Sequence, residues 1–199
     1  MFRRTLFAGL LLGVALFATA ADEPDQAIHE ELRVVLKTTA EAINSGNFDR
    51  MLPVLSKDIR GTPINQEFLA SHADVSDYFR KWFGPGGYLK KLEITLEPDA
   101  LTELSADKTW GVVYGKGVER YILSDGRPYD LRTRWTATVA KEEDGRWRIR
   151  ALHLGTNFLD NPILAEAEGA FRYALGGGGA AGLLLGLLLG WFVFRKKKT

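Results

Sequence analysis

The sequence predicts an α+β domain set between two membrane-directed ends. Three observations support this prediction. Residues 26–83 show the three-and-four apolar spacing of helices, residues 92–154 show the alternation of strands, and both ends are apolar and free of acidic residues. Helices followed by hairpin-joined strands are typical of a helical layer covering one face of a sheet. We therefore expect three N-terminal helices, a mostly antiparallel sheet and a C-terminal transmembrane helix.

Charge and cysteine content exclude several classes of protein. The two ends hold six of the 26 basic residues and none of the 25 acidic ones, which leaves the middle of the chain with a net charge of −5. An acidic domain argues against nucleic-acid binding, which needs a basic surface. The absence of cysteine excludes disulfides, thiol nucleophiles and zinc–thiolate sites. We predict no cofactor and no nucleic-acid partner.

Residues 1–20 are predicted to be a signal peptide. Arg3 and Arg4 precede an apolar run that is shorter than the roughly 20 residues needed to span a bilayer. The run closes on Ala18-Thr19-Ala20, the small residues that a signal peptidase selects, so we expect cleavage before Ala21. An uncleaved N-terminal anchor is the alternative.

The C-terminal end is predicted to cross the cell (inner) membrane once. Residues 175–194 carry no charge and are long enough to span, and residues 195–199 form a basic tail that should stay cytoplasmic. The domain, residues 21–164, would then be extracytoplasmic and joined to the span by a helical linker, residues 165–174. Residues 176–179 are four glycines, which form either a hinge into the span or part of a sorting tail that a protease removes.

The helices have recognisable ends. Residues 26–45 form an amphipathic helix that Gly46 should end, and residues 48–55 form a short second helix. Ser71 and Asp74 have the spacing of a capping box at the start of a third helix, which the glycine-rich residues 84–87 should stop.

Two turns set the predicted strand registers. We interpret Asp125-Gly126 as a two-residue turn, which pairs Val118 with Thr133. The loop that ends at Gly145 is interpreted as a three-residue loop, because a two-residue turn there would move the apolar residues to the wrong face.

The second interpretation pairs Ile149 with Val139 and His153 with Trp135. The two registers together predict which strand side chains face the helices. No Asp or Glu is among these inward-facing residues. The members of this set with binding chemistry are Trp110, Tyr114, Lys116, Arg120, Trp135 and His153.

Four of these residues are the candidate ligand pocket: Trp135, Lys116, Arg120 and Trp110. Buried cations need a counter-charge, so a bound carboxylate or phosphate could satisfy them. The alternative is a bulge at Gly115 and Gly117 that turns Lys116 to solvent. We assign no catalytic residue, although His153 with Tyr114 is a candidate acid–base pair. His29 and His72 are expected at the surface, and no metal site is predicted.

The sequence also resembles a known family. Its first helix ends in AINSGNFD, residues 42–49, and is followed by MLPVLSKD, residues 51–58, and by the Gly61-Thr62-Pro63 turn. The third helix contains Tyr78-Phe79, and the last strand is DGRWRIRALH, residues 144–153. These segments resemble the nuclear transport factor two-like superfamily, in its SnoaL-like branch, over residues 26–162. The resemblance implies a cone, a curved sheet wrapped around three helices with an inner pocket, that often forms dimers through the outer sheet face.

Fold alone does not select a function within this superfamily, which includes isomerases, cyclases, dehydratases and members without chemistry. The absence of an inward acid argues against an isomerase of the ketosteroid type. Three hypotheses stay open: an anchored module that binds a small anionic or apolar ligand or a protein, an acid–base enzyme that uses His153, and a structural homodimer.

Overall fold

The computed structural model describes residues 25–195 and confirms the α+β class. Its element order is α1 (Gln26–Asn44), a 3₁₀ helix (Phe48–Val54), β1 (Leu55–Thr62), α2 (His72–Phe83), β2 (Leu89–Pro98), β3 (Glu103–Leu104), β4 (Trp110–Leu123), β5 (Pro128–Lys141), β6 (Trp147–Thr156) and α3 (Pro162–Arg195). The described strands form a six-stranded sheet in the order β1-β6-β5-β4-β2, and β3 also pairs with β4. The predicted signal peptide and the last four residues lie outside the described residues.

The helix ends follow the local sequence signals. Gly46 has a φ of +71°, a left-handed conformation that L side chains disfavour, and α1 ends two residues before it as predicted. The Ser71 hydroxyl accepts a hydrogen bond from the backbone N–H of Asp74 at 3.1 Å and caps α2. The Asp74 carboxylate in turn accepts from the backbone N–H of Ala70 at 2.9 Å.

Strand β1 was not predicted from the sequence. It pairs in parallel with β6 at the edge of the sheet, and its exposed residues Lys57 and Asp58 interrupt the apolar alternation. Leu55 and Ile59 are buried, whereas Asp58 forms an ion pair with Arg150 of β6. Pairing with β6 therefore stabilises this strand more than its own alternation of apolar and polar residues does.

The hairpin of β5 and β6 begins in the predicted register and then departs from it. Gly145 has a φ of +78° in a three-residue loop, and Val139 pairs with Ile149, as expected. A bulge then leaves Arg150 as an extra residue on β6. Because the extra residue reverses the alternation, the side chains beyond it exchange faces.

As a result, the predicted pairing of His153 with Trp135 is wrong. Leu154 pairs with Trp135 and Leu152 with Ala137, so the two leucines face inward and His153 is exposed.

The hairpin of β4 and β5 differs from the prediction by one residue. Its loop has three residues with Gly126 left-handed at φ +89°, not two, and the backbone N–H of Leu123 donates to Arg127 O at 2.9 Å. Val118 therefore pairs with Arg132 instead of Thr133. A register shift of one residue reverses the face to which every side chain of a strand points. The residues predicted on the inner face of β4 therefore lie on its outer face.

Helices α1 and α2 cover the inner face of the sheet. Leu32 and Val35 of α1 and Val75 of α2 are buried in one cluster with Trp135 and Ala137 of β5. This layer confirms the predicted packing of helices on a sheet and leaves an enclosed space between the two layers.

Helix α3 has 34 residues and joins the predicted linker and span in one continuous helix. It runs through the four glycines 176–179. By length and composition it can cross a membrane, and its most apolar window is fully exposed. At its start, the Glu166 carboxylate accepts hydrogen bonds from Arg127, at 2.7 Å, and from the Tyr129 hydroxyl, which attaches α3 to the β4–β5 hairpin.

Candidate functional site

A cavity of about 390 Å³ lies between the helices and the inner face of the sheet. Its wall is mostly aliphatic and aromatic, and the main contributors are Leu32, Val35, Leu36, Ile43, Met51, Leu55, Ile59, Leu69, Val75, Phe79, Leu92, Ile94, Leu96, Val113, Trp135, Ala137, Val139, Ile149, Leu152 and Leu154. A cavity of this size with an apolar lining and few polar groups is typical of a binding site for a small molecule.

Glu119 is the acidic residue among the described residues that line this cavity. It lies on β4, opposite Leu131 of β5, and only 2% of the residue is exposed. The Tyr121 hydroxyl donates a hydrogen bond to Glu119 Oε2. Glu119 Oε1 and the neighbouring Thr133 hydroxyl are both buried and have no well-aligned partner among the described residues. A buried polar atom without a partner costs about 1–3 kcal/mol, so this carboxyl group is costly to keep.

The protonation of this group follows from its surroundings. Burial raises the pKa of Glu119 by more than the Tyr121 and Thr133 hydroxyls lower it. Burial, followed by acidic neighbours that include Glu119, also raises the pKa of Tyr121 and of Tyr78, so both phenols remain hydrogen-bond donors at neutral pH. When protonated, the carboxyl group can donate a hydrogen bond to a ligand. When ionised, it can accept a proton.

His29 also lines the cavity and corrects a prediction. The sequence places it on a polar, solvated face beside Glu30 and Glu31, yet it is 7% exposed on the buried stripe of α1. His72 is half-buried, with its Nε2 3.0 Å from Leu55 O. No group of three His, Cys, Asp or Glu residues within residues 25–195 is placed to hold a metal ion.

Of the four predicted pocket residues, the structure places Trp135 in the cavity wall. Its indole Nε1 donates to Lys116 O at 3.1 Å, which orients the ring beneath β4. The ring needs the glycine at position 115, because a Cβ there would lie 2.5 Å from Trp135 Cζ2. Gly115 thus makes room for the indole, whereas a Cβ at Gly117 would lie 2.8 Å from the Thr133 hydroxyl.

The predicted inward orientation of the other residues on β4 is wrong. The Lys116 ammonium lies 3.1 Å from a carboxylate oxygen of Glu97. The Arg120 guanidinium lies 3.3 Å from a carboxylate oxygen of Asp130. Both ion pairs are outside the cavity.

Both cations are therefore paired by acidic side chains of the chain itself. Trp110 is 49% exposed, and the Tyr114 hydroxyl, also on the outer face, donates to Glu103 at 3.3 Å. His153 is exposed, so the candidate pair of His153 and Tyr114 does not face the cavity.

The sequence contains one signal that could have located Glu119. Charged and apolar residues occur on both faces of β4, so hydropathy alone does not choose between them. The glycines at 111, 115 and 117 lie on the same face of the strand as Glu119, because alternate residues point the same way. Glycines in a strand commonly mark a close approach of another group. Placing these glycines against Trp135 would have turned Glu119 inward.

No protein-family model and no curated protein matches this sequence. The chain is similar to several solved structures. A putative scytalone dehydratase from Novosphingobium aromaticivorans is 10% identical with a TM-score of 0.57, over 67% of this chain and 86% of that one. A hexachlorocyclohexane dehydrochlorinase (LinA) is 11% identical with a TM-score of 0.56, over 67% and 87%.

A nuclear transport factor 2-like protein from Salmonella enterica serovar Typhimurium is 14% identical with a TM-score of 0.55, over 66% and 92%. At these identities the likeness shows the fold alone. The domain therefore has the nuclear transport factor 2-like fold, which confirms the fold that the sequence resemblance implies.

The raised pKa of Glu119 predicts a pH-dependent stability. Because its pKa lies above the unfolded value of 4.5, the folded state holds this proton more tightly than the unfolded chain. Its contribution is complete below about pH 4.5 and is lost as the pH rises through the folded pKa. We expect Glu119→Gln to gain thermal stability relative to wild type as the pH is raised from 4.5 to 8, measured by differential scanning calorimetry.

Glu67→Gln supplies a control of opposite sign. The hydrogen bond from Lys81 is the largest effect on the Glu67 carboxylate and lowers its pKa, so this stabilisation is present above the unfolded pKa and lost on acidification. The Glu67→Gln variant should therefore be less stable than wild type throughout pH 4.5–8 and should lose this deficit only below about pH 4.5. Parallel pH profiles for both variants would contradict the assignment of Glu119.

Proposed function

We propose that this domain binds a small, largely apolar molecule whose one polar group meets Glu119. The observation that carries the proposal is the Glu119 carboxyl group, the acidic group among the described residues that line the 390 Å³ apolar cavity. A ligand hydroxyl or carbonyl would hydrogen-bond to this carboxyl group, and the aliphatic wall would favour the rest of the molecule.

The polar group of this ligand is neutral. Lys116 and Arg120, which the sequence analysis offered as partners for an anion, are paired with Glu97 and Asp130 outside the cavity. A carboxylate or phosphate beside Glu119 would place two acidic groups in an apolar space, which is strongly unfavourable. Alcohols, phenols and ketones are therefore the ligand class that we propose.

Two probes of matched shape test this proposal. We expect 2-naphthol to bind about ten-fold more tightly than naphthalene, because a hydrogen bond to a buried group is worth about 1–3 kcal/mol. The affinities can be measured by fluorescence titration of the full-length protein in maltoside micelles.

In Glu119→Leu the difference between the two probes should disappear, while naphthalene binding persists. The exposed His153→Gln variant is the control and should keep the preference for 2-naphthol. Equal affinities of the two probes for wild type would rule out a hydrogen-bonding role for Glu119.

A second candidate function is proton transfer by Glu119. Its support is the raised pKa of a carboxyl group beside the Tyr121 hydroxyl in an apolar cavity, a combination that suits a general base. A dehydratase and a dehydrochlorinase are among the solved proteins that share the fold. Glu119, and not the exposed His153, is the group placed to act on a bound molecule.

Exchange of carbon-bound protons tests the second candidate. The Glu119 carboxylate would remove a proton from the carbon next to the carbonyl of 2-tetralone and return a deuteron from D₂O. We expect the protein to accelerate this exchange, followed by NMR, with a rate that rises with pH through the raised pKa of Glu119. Glu119→Gln should lose at least about 100-fold of the acceleration, and His153→Gln should lose none. Exchange at the uncatalysed rate would exclude this function.

We also propose that the domain is held at the outer face of the cell membrane as a homodimer. The proposed organisation is a signal peptide at residues 1–20, the extracytoplasmic domain at 21–164, the linker at 165–174, the span at 175–194 and a cytoplasmic tail at 195–199. Support comes from the length and apolar character of α3. Trp110, Tyr114 and Val118, which are exposed on the outer face of β4, support contact with a second copy.

Native mass spectrometry of the protein from its own membrane tests this arrangement. The expected species is a dimer that lacks residues 1–20 and retains residues 175–199. Val118→Lys should convert it to a monomer whose subunit mass differs from wild type only by the substitution, because it places charges opposite each other on the proposed contact face. A retained N-terminus or a wild-type monomer would overturn the corresponding part of the proposal.

A further inference from the structure

A second cavity, of about 240 Å³, shares Ile64, Tyr78 and Tyr121 with the wall of the first. Five aromatic residues contribute to its wall: Tyr78, Trp82, Tyr88, Tyr121 and Tyr129. We call this group the aromatic cage. Tyr88 is 57% exposed at its edge, and Ile163, the second residue of α3, completes the wall.

Three rings of the aromatic cage donate their polar hydrogen to a carboxylate. Trp82 Nε1 donates to Glu67 Oε1 at 2.7 Å, the Tyr121 hydroxyl donates to Glu119, and the Tyr129 hydroxyl donates to Glu166. Donation to an anion shifts electron density into the ring, so each ring face becomes more negative. These three polar hydrogens are therefore bound by acidic partners, and the other members of the wall include the aliphatic residues Ile64, Leu89, Leu123, Leu131 and Ile163.

Two rings of the aromatic cage already attract cations, each of which is also paired with an acid, Lys81 with Glu67 and Arg127 with Glu166. Hydrogen bonds from Lys81 and Trp82 lower the pKa of Glu67, which is therefore ionised at neutral pH. Lys81 Nζ lies 4.8 Å from the centre of the Trp82 ring, and the Arg127 guanidinium lies 5.9 Å from that of Tyr129, so both rings already attract cations. Neither Lys81 nor Arg127 lines the cavity.

Few polar groups of the cavity wall are left for a ligand. The amide of Asn65, one of the lining residues, donates to Glu67 at 2.8 Å. The Tyr78 and Tyr88 hydroxyls remain, and two phenol oxygens do not satisfy the three N–H groups of a primary ammonium, whereas a quaternary ammonium has none and is attracted by ring faces.

We propose that the aromatic cage binds a quaternary ammonium group of the trimethylammonium type. The site is distinct from the Glu119 cavity, and the proposal does not rest on the function proposed above. The same headgroup occurs in free solutes such as choline and in phosphatidylcholine lipids. Ile163 precedes residue 175, the first of the proposed span, by a helical rise of about 18 Å, which favours a free solute over a lipid headgroup.

Choline and its neutral isostere 3,3-dimethylbutan-1-ol test the proposal, because they differ in charge and hardly in shape. Isothermal titration calorimetry uses the full-length protein in maltoside micelles, which contain no ammonium group. We expect choline to bind at least about ten-fold more tightly than the alcohol. Equal affinity for the two compounds, or no heat of binding with choline, would overturn the proposal.

Variants at the exposed edge of the cage separate binding from folding. Tyr88→Leu should weaken choline binding at least about five-fold, and Tyr88→Phe, which keeps the ring, should restore it. Phe158→Leu removes an aromatic side chain that is 81% exposed and does not line the cavity, so it should bind choline as wild type does. Unchanged binding by Tyr88→Leu would refute the cage.

Nanodiscs distinguish the two sources of the headgroup. We expect the same choline affinity in discs of phosphatidylcholine and of phosphatidylglycerol, as the distance along α3 requires for a free solute. A weaker apparent affinity in the phosphatidylcholine discs alone would overturn that choice of source.

Discussion

The pairing of β4 with β5 is the constraint on which the candidate site depends. Neighbouring residues on a strand point to opposite faces, so the register alone decides whether Glu119 or Arg120 reaches the interior. The observed register places Glu119 and Tyr121 against the helices and leaves Lys116 and Arg120 outside with acidic partners. The three-residue loop at Gly126 fixes that register, since one residue fewer would exchange the two sets.

Local signals in the sequence were sufficient for the fold class and for most of its elements. Gly46 and the Ser71 cap mark helix ends by backbone conformation and hydrogen bonding, which depend only on nearby residues. Strand alternation and the span were equally local. Strand β1 was not predicted, because its apolar alternation is interrupted and its partner, β6, is about 90 residues away in the chain. The fold was therefore predictable where the determining contacts are short in sequence.

The site was much less predictable, for a physical reason. An Asp-Gly pair suits both two-residue and three-residue hairpin loops. The predicted loop length was correct at Gly145 and wrong at Gly126. The bulge at Arg150 leaves no local mark, yet it moves His153 out and Leu154 in. Trp135 was placed correctly because β5 has a clear apolar face, whereas β4 has charges on both faces. Each error is a shift of one residue, and each exchanges the set of side chains that reaches the interior.

The interior thus combines two features that do not favour stability, an open apolar cavity and a buried carboxyl with an unpartnered oxygen. Natural sequences depart from the rules of stable packing chiefly at sites with a function. The departures here coincide at one point of the sheet, and the surrounding helices and strands follow those rules closely. That contrast favours the proposed binding role over an accidental packing defect.

The glycines at 176–179 give α3 a mechanical property of its own. Glycine in a helix costs about 1 kcal/mol relative to alanine, so this stretch is about 4 kcal/mol easier to unwind than an alanine stretch of the same length. In the proposed membrane-anchored arrangement these glycines lie at the outer end of the span, where water can hydrogen-bond to an opened backbone. Opening there would let the domain change its orientation relative to the span while its core remains intact.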